Sequence, residues 1–240
     1  MTDAYQCADK LDVEIRILRS NRRSVVGQVL PDGNIEVRAP LSMTTGEINK
    51  WLDKCEPKFL PIVRQYRKIN AILTEHPFGY GGEVLLKGEW IPVREAQDDN
   101  NGYYALYRDG VVVMKPGLSD SDMRFHIEDS FYHIAKPLFT EKLQYYSNMM
   151  DVWCRTWTIG NARKRHGSCD SNEKITLSWR IVMMSEPVIE YIIVHELAHL
   201  KHMNHSKAFR AEVAAVLPDW RERKKAHCEY SQMLLCGGWM

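Results

Sequence analysis

Four histidines and a glutamate lie within eleven consecutive residues, residue types that can bind a metal ion and move a proton beside it. The stretch begins His-Glu-x-x-His, with Glu196 and His199 following His195. On a helix, His195 and His199 leave one face about one turn and ~6 Å apart along the axis, close enough to share one metal ion. Glu196 stands beside the first ligand, so its carboxylate is free to take a proton from water as general base. The pattern therefore predicts a zinc site that performs hydrolysis.

The third protein ligand has to come from beyond this helix. His202 continues the same helical face, but three ligands along one straight helix cannot surround a metal tetrahedrally. A turn at Met203-Asn204 is expected, because asparagine tolerates the left-handed conformation that ends helices. His205 follows this turn and is the favoured third ligand, with His202 as an outer partner or a surface residue. Glu212 and Glu222 stay open as alternatives, although exposed helix glutamates are usually only solvated.

The helix that carries the motif is predicted to be buried in a core. Ser185 can cap it, and Glu186-Pro187 suit its first turn. Its apolar residues fall on more than one face. Histidines and a glutamate buried there without a partner would be costly, which favours a metal over a satisfied polar network. A second helix is expected to start at Ser206 and to include Phe209 and residues 213–216.

Composition and charge describe an ordinary globular chain of 240 residues. It is 45% hydrophobic and 26% charged, and 32 Lys and Arg against 31 Asp and Glu leave a net charge of +1. This balance gives no strong signal for nucleic acid or for an anionic membrane. The polar segment Met1 to Lys10 has no apolar core, and no later run is long enough to span a bilayer. Six cysteines without a Cys-x-x-Cys pair suit reduced thiols, so a cytoplasmic location is expected.

The order of the other predicted elements is mixed, which gives an α+β class. Residues 11–115 are predicted to form a β-rich N-terminal part, and residues 119–229 the catalytic core. The family resemblance described below implies a zincin-like fold for this core. The predicted strands are 13–18, 24–30 and 34–38, arranged as a meander, then 83–93, 103–108 and 111–115, and finally 152–159 and 174–179. One helix is predicted to start at Thr44 or Thr45, with interruptions near Pro57 and Pro61. Another is predicted from Ser119 or Ser121 to about Tyr146, broken or kinked at Pro137 and packed across the catalytic helix. Asp109-Gly110 is a hairpin turn, and 98–102 a loop.

A basic segment precedes the catalytic helix. Residues 160–172 are predicted as a loop rich in cations, small residues and hydroxyls, in which Arg163, Arg165 and Ser168 are candidate substrate-binding residues. The alternative is a solvated basic turn. Cys169 beside His166 permits a thiol-nucleophile hypothesis, which is disfavoured because no third member of such a triad is evident. The edge of the following strand, 175–179, could pair with an extended peptide.

Several motifs together resemble one family. They are Ser20-Asn-Arg-Arg, Pro31-Asp-Gly, Val37-Arg-Ala-Pro40, Arg165-His-Gly-Ser-Cys169, Ile175-Thr-Leu-Ser-Trp179, the stretch from His195 to Phe209, and Leu217-Pro-Asp-Trp220. In this order they look like the YgjP-like family of metal-dependent hydrolases, which is similar to the SprT-type zincins, over residues 13–229. The resemblance implies that His195, His199 and His205 bind zinc and that Glu196 is the catalytic carboxylate. This chain departs from the family at three positions, with His166 in place of tryptophan, Met203 in place of proline and Arg210 in place of an aromatic residue.

The sequence as a whole indicates a zinc-dependent hydrolase, and a metallopeptidase acting on a peptide or protein is the favoured interpretation. Glu196 would take a proton from water and pass it to the leaving amine. Hydrolysis of a nucleoside triphosphate, with Arg163, Lys164 and Arg165 on the phosphates, is an alternative, but an all-imidazole cluster is not the usual phosphate site. A non-catalytic zincin-shaped binding module is a third hypothesis, which a base beside the metal argues against. Physiological substrate, scissile bond and oligomeric state are not predicted.

Overall fold

A computed structural model describes residues 13–97 and 103–240, which form two compact units. The first unit contains the described residues up to Glu75 together with residues 232–238, and the second contains residues 76–231 with the last two residues. The mixture of strands and helices confirms the α+β class. The predictions for Met1 to Lys10 and for the loop 98–102 lie outside the described residues. In the described part, no helix has the length and apolar character needed to cross a membrane.

The first unit packs a three-stranded sheet with one long helix. Its strands are β1 (Ile15–Ser20), β2 (Val26–Val29) and β3 (Ile35–Pro40), in the order β1-β3-β2. β3 is parallel to β1 and antiparallel to β2, so the predicted meander is wrong. The reason lies in β3, whose alternate residues Ile35, Val37 and Ala39 are buried, while no residue of β2 is. The most apolar strand takes the centre, where both of its edges are paired.

The helix of the first unit, α1 (Thr45–Glu75), begins with a reciprocal cap. The Oγ1 of Thr44 accepts a hydrogen bond from the Glu47 N–H at 3.3 Å, and the Glu47 carboxylate accepts one from the Thr44 N–H at 2.7 Å. α1 runs without a break through Pro57 and Pro61, contrary to the predicted interruptions. Each internal proline costs about 3 kcal/mol, and burial of an apolar side chain returns about 1.5–3 kcal/mol. The buried face that keeps the helix continuous consists of Ile48, Leu52, Val63, Tyr66 and Ile69.

The second unit begins with a four-stranded sheet, ordered β4-β5-β7-β6. These strands are β4 (Glu83–Leu86), β5 (Glu89–Glu95), β6 (Ala105–Arg108) and β7 (Val111–Met114). The single strand predicted over 83–93 is wrong, because Lys87 and Gly88 adopt left-handed φ values of 51° and 83° and turn the chain into a hairpin. Asp109-Gly110, with φ values of 52° and 78°, forms the predicted hairpin between β6 and β7.

A long helix, α2 (Asp120–Met150), crosses the core of the second unit. Its N-cap is Ser119, whose Oγ accepts a hydrogen bond from the Asp122 N–H at 3.2 Å. The helix is not broken at Pro137, because apolar side chains are buried along the whole length of the helix. As predicted, α2 packs against the helix that carries the histidines, and Lys142 donates to the Glu190 carboxylate there at 2.8 Å.

A small sheet leads into the helix that carries His195 and His199. It consists of β8 (Thr156–Gly160), β9 (Gly167–Cys169) and β10 (Lys174–Ser178), with β10 at the centre, parallel to β8 and antiparallel to β9. The predicted loop 160–172 therefore contains a strand. The hypothesis that the edge of 175–179 accepts a peptide is wrong, since both edges of β10 are paired. A 3₁₀ turn (Trp179–Met183) and three helices follow, namely α3 (Glu186–Ala198), α4 (Lys207–Val216) and α5 (Trp220–Cys236).

Candidate metal centre

The helix α3 fixes the first two histidines in a rigid environment. It begins after the predicted N-cap Ser185 and ends at Ala198, and residues on every face of it are buried. A helix surrounded by packed side chains has little freedom to shift or rotate. The rings of His195 and His199 therefore leave a fixed backbone one turn apart, with their centroids separated by 4.9 Å.

The connection between α3 and α4 brings the third histidine to the other two. One donor atom from each of His195, His199 and His205 lies within 4.8 Å of the others, and Nε2 of His195 is 2.9 Å from Nε2 of His205. The next residue, Ser206, is the N-cap of α4 as predicted, and its Oγ accepts from the N–H of Phe209 at 3.2 Å. This cap places the Phe209 ring against all three imidazoles, at centroid distances between 4.6 and 4.9 Å.

The protonation of the His195 and His199 rings suits metal binding. The Nδ1–H of His199 donates to the carbonyl oxygen of His202 at 3.0 Å, which leaves the Nε2 lone pair of His199 available to a metal. Burial lowers the pKa of His195 to about 3, assisted by the other two rings, and burial also lowers the pKa of His199. Neutral imidazole is the form that binds Zn²⁺. The donor set therefore fits a zinc ion, and His202 contributes through its backbone rather than its ring.

The carboxylate of Glu196 is buried and unpaired. Only 6% of the residue is exposed, and among the described residues its side chain has neither a hydrogen-bond donor nor a cation as partner. Burial raises its pKa to about 7. A structural carboxylate at this depth would be compensated by hydrogen bonds or by an ion pair. Because no such partner is present in the described part of the chain, the carboxylate of Glu196 is available to a bound ligand.

Gly167 gives this carboxylate its space. A Cβ atom at position 167 would lie 2.4 Å from Oε1 of Glu196, well inside van der Waals contact. We expect Gly167→Ala to lower kcat by about tenfold with the metal retained, because small displacements of a reacting group are costly. Steady-state kinetics and metal content measure this. The control is Gly46→Ala, where a Cβ atom would meet nothing within 4 Å; equal kcat values for the two variants would contradict the assignment.

A cavity of about 630 Å³ opens beside the histidines and Glu196. Arg165 lies on its wall, whereas Arg163 and Ser168 are not among the residues that line it. Cys169 does not line it either, and burial, with nearby carboxylates, raises the pKa of its thiol to about 11, which weighs against a thiolate nucleophile. Of the alternative third ligands, Glu212 accepts a hydrogen bond from Lys201 at 2.6 Å, and neither it nor Glu222 belongs to the histidine cluster.

A second pair of histidines lines the same cavity. Nδ1 of His166 lies 3.0 Å from Nε2 of His227, and Nε2 of His166 is buried without a hydrogen-bond partner among the described residues. His166 is 8% exposed. Burial lowers the pKa of each ring to about 4, and the charge of His227 contributes at His166. Both rings are therefore neutral at physiological pH, and in the hydrogen bond that joins them one ring nitrogen donates and the other accepts.

The pair predicts a pH-dependent stability. The pKa of His166 is about 6.5 in the unfolded chain and about 4 in the folded one, so the unfolded state binds more protons between these values and stability falls as pH falls through them. We expect wild-type protein to lose about 1–2 kcal/mol more than His166→Phe between about pH 7.5 and about pH 5. Urea unfolding of both proteins at the two pH values measures the difference. Equal losses would contradict the buried, neutral assignment of His166.

Sequence reasoning missed three of the residues at this site. Gly167 appears in the sequence only as part of a motif. Nothing in the local sequence links His166 to His227, which is 61 positions away. Tyr191 is one of the apolar residues that predict a buried helix, and it also lines the cavity, with its ring centroid 5.8 Å from that of His195. Its place one turn before the first histidine of a helix was the available signal. Burial raises the pKa of its hydroxyl to about 12, so it stays a hydrogen-bond donor.

Three imidazoles converge beside a buried carboxylate at an open cavity, an arrangement that can bind a metal ion, and the family comparison supports a metal-dependent peptidase. The chain belongs to the YgjP-like family: the family model described as "YgjP-like, metallopeptidase domain" matches residues 23–226. No curated protein matches the chain. Among solved structures, it is similar to the crystal structure of the metallopeptidase zymogen of Pyrococcus abyssi abylysin, at 25% identity and a TM-score of 0.34, over 36% of this chain and 89% of that one.

Proposed function

We propose that this protein is a zinc-dependent peptidase with a zincin-like catalytic core. In this proposal His195, His199 and His205 bind the zinc ion, and Glu196 is the general base. The observation that carries it is the convergence of three imidazoles next to a buried carboxylate that has no partner among the described residues. A zinc ion that only stabilises the fold is normally enclosed by four protein ligands. Here the described cluster supplies three, and the cavity leaves room for water and substrate.

In the proposed reaction, different residues of this chain transfer the proton and bind the substrate. Zinc bound there would supply a Lewis acid that activates water and polarises the carbonyl of the scissile bond. The carboxylate of Glu196 accepts the proton from the water and delivers it to the leaving amine. The Tyr191 hydroxyl, protonated at neutral pH, is available in the cavity wall as a donor to the substrate. β9 pairs with β10 alone among the described strands, and its first residue, Gly167, lines the cavity beside Glu196, so this end of β9 is where we propose that an extended peptide backbone binds.

Metal analysis and peptide hydrolysis test the proposal together. We expect protein purified without added metal to contain about one zinc per chain. A chelator should remove both the zinc and the hydrolysis of an unbiased peptide library, and added zinc should restore both. Elemental analysis and mass spectrometry of the products measure these outcomes. Protein that neither contains nor takes up zinc would contradict the metal assignment, and zinc-loaded protein that cleaves no peptide would contradict the reaction.

Hydrolysis of a phosphoanhydride is the second candidate. The position of Lys164 and Arg165 on the cavity wall favours it, since both can bind phosphate oxygens. The donor set opposes it, because sites for Mg²⁺ with phosphate use oxygen ligands and this cluster is imidazole throughout. A nucleoside triphosphate panel assayed beside the peptide library separates the two activities.

A further inference from the structure

The wall of the cavity is strongly cationic. Lys164 and Arg165 reach it from the segment before β9, Arg210 from α4 and Lys224 from α5. Among the described residues that line the cavity, Glu196 is the single carboxylate. The chain as a whole is nearly neutral, with a net charge of +1, so this concentration of positive charge is local. Charges of one sign around a concave surface focus the electrostatic field into it.

The protein does not neutralise these cations itself. In the described part of the chain, none of Lys164, Arg165, Arg210 and Lys224 forms an ion pair. Three carboxylates on or directly before the helices α3, α4 and α5 pair with other cations: Glu190 pairs with Lys142 and Arg223, Asp219 also pairs with Arg223, and Glu212 pairs with Lys201. Burial is the larger cause of the lowered pKa of His227, and the positive charge of Lys224 is the second. The charge of Lys224 therefore acts on a ring that lines the cavity. Unpaired like charges that converge on one cavity repel each other, and an anionic ligand removes that cost.

We propose that this cavity selects peptides with glutamate or aspartate side chains beside the scissile bond. The proposal rests on the peptidase function proposed above and names its substrate class. The cations come from three segments around the opening, which suits carboxylates spread over successive residues of a peptide. Aromatic and aliphatic side chains between them, among them Tyr191, Phe209 and Trp220, can contact the carbon atoms of the same substrate. A polyphosphate would leave this apolar part of the wall without a partner.

The first experiment compares matched peptides on the zinc-loaded full chain. Each pair differs by Glu against Gln at one position, so shape is kept and only charge changes. We expect kcat/KM to favour the Glu peptide by about tenfold at the best position at about 0.05 M salt, and the ratio to fall at about 0.5 M because salt screens exposed charges. A ratio near one at every position, with both peptides cleaved, would overturn the substrate class and leave the peptidase function intact.

Charge-reversal variants assign the preference to the cavity. Lys224→Glu and Arg210→Glu should abolish or invert the Glu to Gln ratio. Their controls are Lys225→Glu and Lys207→Glu, exposed residues on the same two helices that do not line the cavity, and these should keep the wild-type ratio. Controls that change the ratio as much as the cavity variants would overturn the assignment, because the preference would then follow net charge.

Binding separates this proposal from a failure of catalysis. The Glu196→Gln protein should bind the fluorescent Glu peptide about tenfold more tightly than its Gln partner in an anisotropy titration, whether or not the wild type cleaves either. Equal affinities would overturn the substrate class. Inorganic tripolyphosphate is the competing ligand: weak competition at millimolar concentration supports the peptide, whereas tight binding that displaces it at micromolar concentration would overturn the peptide in favour of a polyphosphate.

Discussion

Glu196→Gln lowers peptide hydrolysis by a factor on the order of 10²–10⁴ and leaves the metal in place; this is the result we expect for a group that acts as general base and then as general acid. The amide has nearly the shape of the carboxylate, so the tight approach of Gly167 is preserved. An amide cannot accept the proton of a water molecule. The measurement is kcat for the best peptide substrate, with metal content and the unfolding midpoint recorded for each protein.

The matched control is Glu186→Gln on the same helix. Glu186 is exposed in the first turn of α3 and is not among the residues that line the cavity, and its substitution removes the same charge. We expect its kcat to equal that of the wild type. A Glu196→Gln enzyme that contains metal and retains activity within about tenfold of the wild type would remove Glu196 from the mechanism. That result would move the balance toward phosphoanhydride hydrolysis, where the metal and the cations of the cavity wall carry more of the catalysis.

His205→Ala is expected to abolish stable metal binding. The residue supplies one of the three donor atoms that lie within 4.8 Å of one another, so its loss leaves two imidazoles. We expect the metal affinity to fall by more than the 10–100-fold that the loss of an outer hydrogen-bond partner costs. Competition with a chromogenic zinc chelator measures the affinity of each variant.

Three neighbouring substitutions are the controls for this ligand assignment. His202→Ala keeps the backbone carbonyl that accepts from Nδ1 of His199, so it should bind metal nearly as the wild type does. Glu212→Ala and Glu222→Ala remove the two alternative ligands and should also retain the metal. If either glutamate variant loses the metal and His205→Ala does not, the third ligand is a carboxylate and the proposed all-imidazole site is wrong.

Features encoded over a few residues were predictable from the sequence. The helix α3, its start after Ser185, the new helix after Ser206 and the Asp109-Gly110 hairpin all depend on local spacing and capping. The convergence of His195 with His199 follows from helix geometry alone. In each case, the interactions that decide the structure join residues close in the chain.

Features decided by distant partners were not predictable in the same way. The parallel pairing of β1 with β3 depends on which strand has the most apolar residues to bury, and propensity does not express that competition. Pro137 is a strong local signal for a break, yet the buried face of α2 outweighs it. The contact of His166 with His227 joins residues from a loop and a distant helix, so neither local periodicity nor a short motif contained it.

The compactness of the histidine cluster along the chain has a consequence for how the protein matures. All three rings come from one helix end and the segment directly after it, so a metal ion shared by them closes only a loop of about ten residues. Closing so short a loop removes little conformational entropy from the unfolded chain. The core around α2 and α3, by contrast, is built from apolar side chains that do not involve the histidines. We therefore expect folding to precede loading with metal, and the metal-free protein to keep its core while the connection from His199 to Ser206 gains freedom.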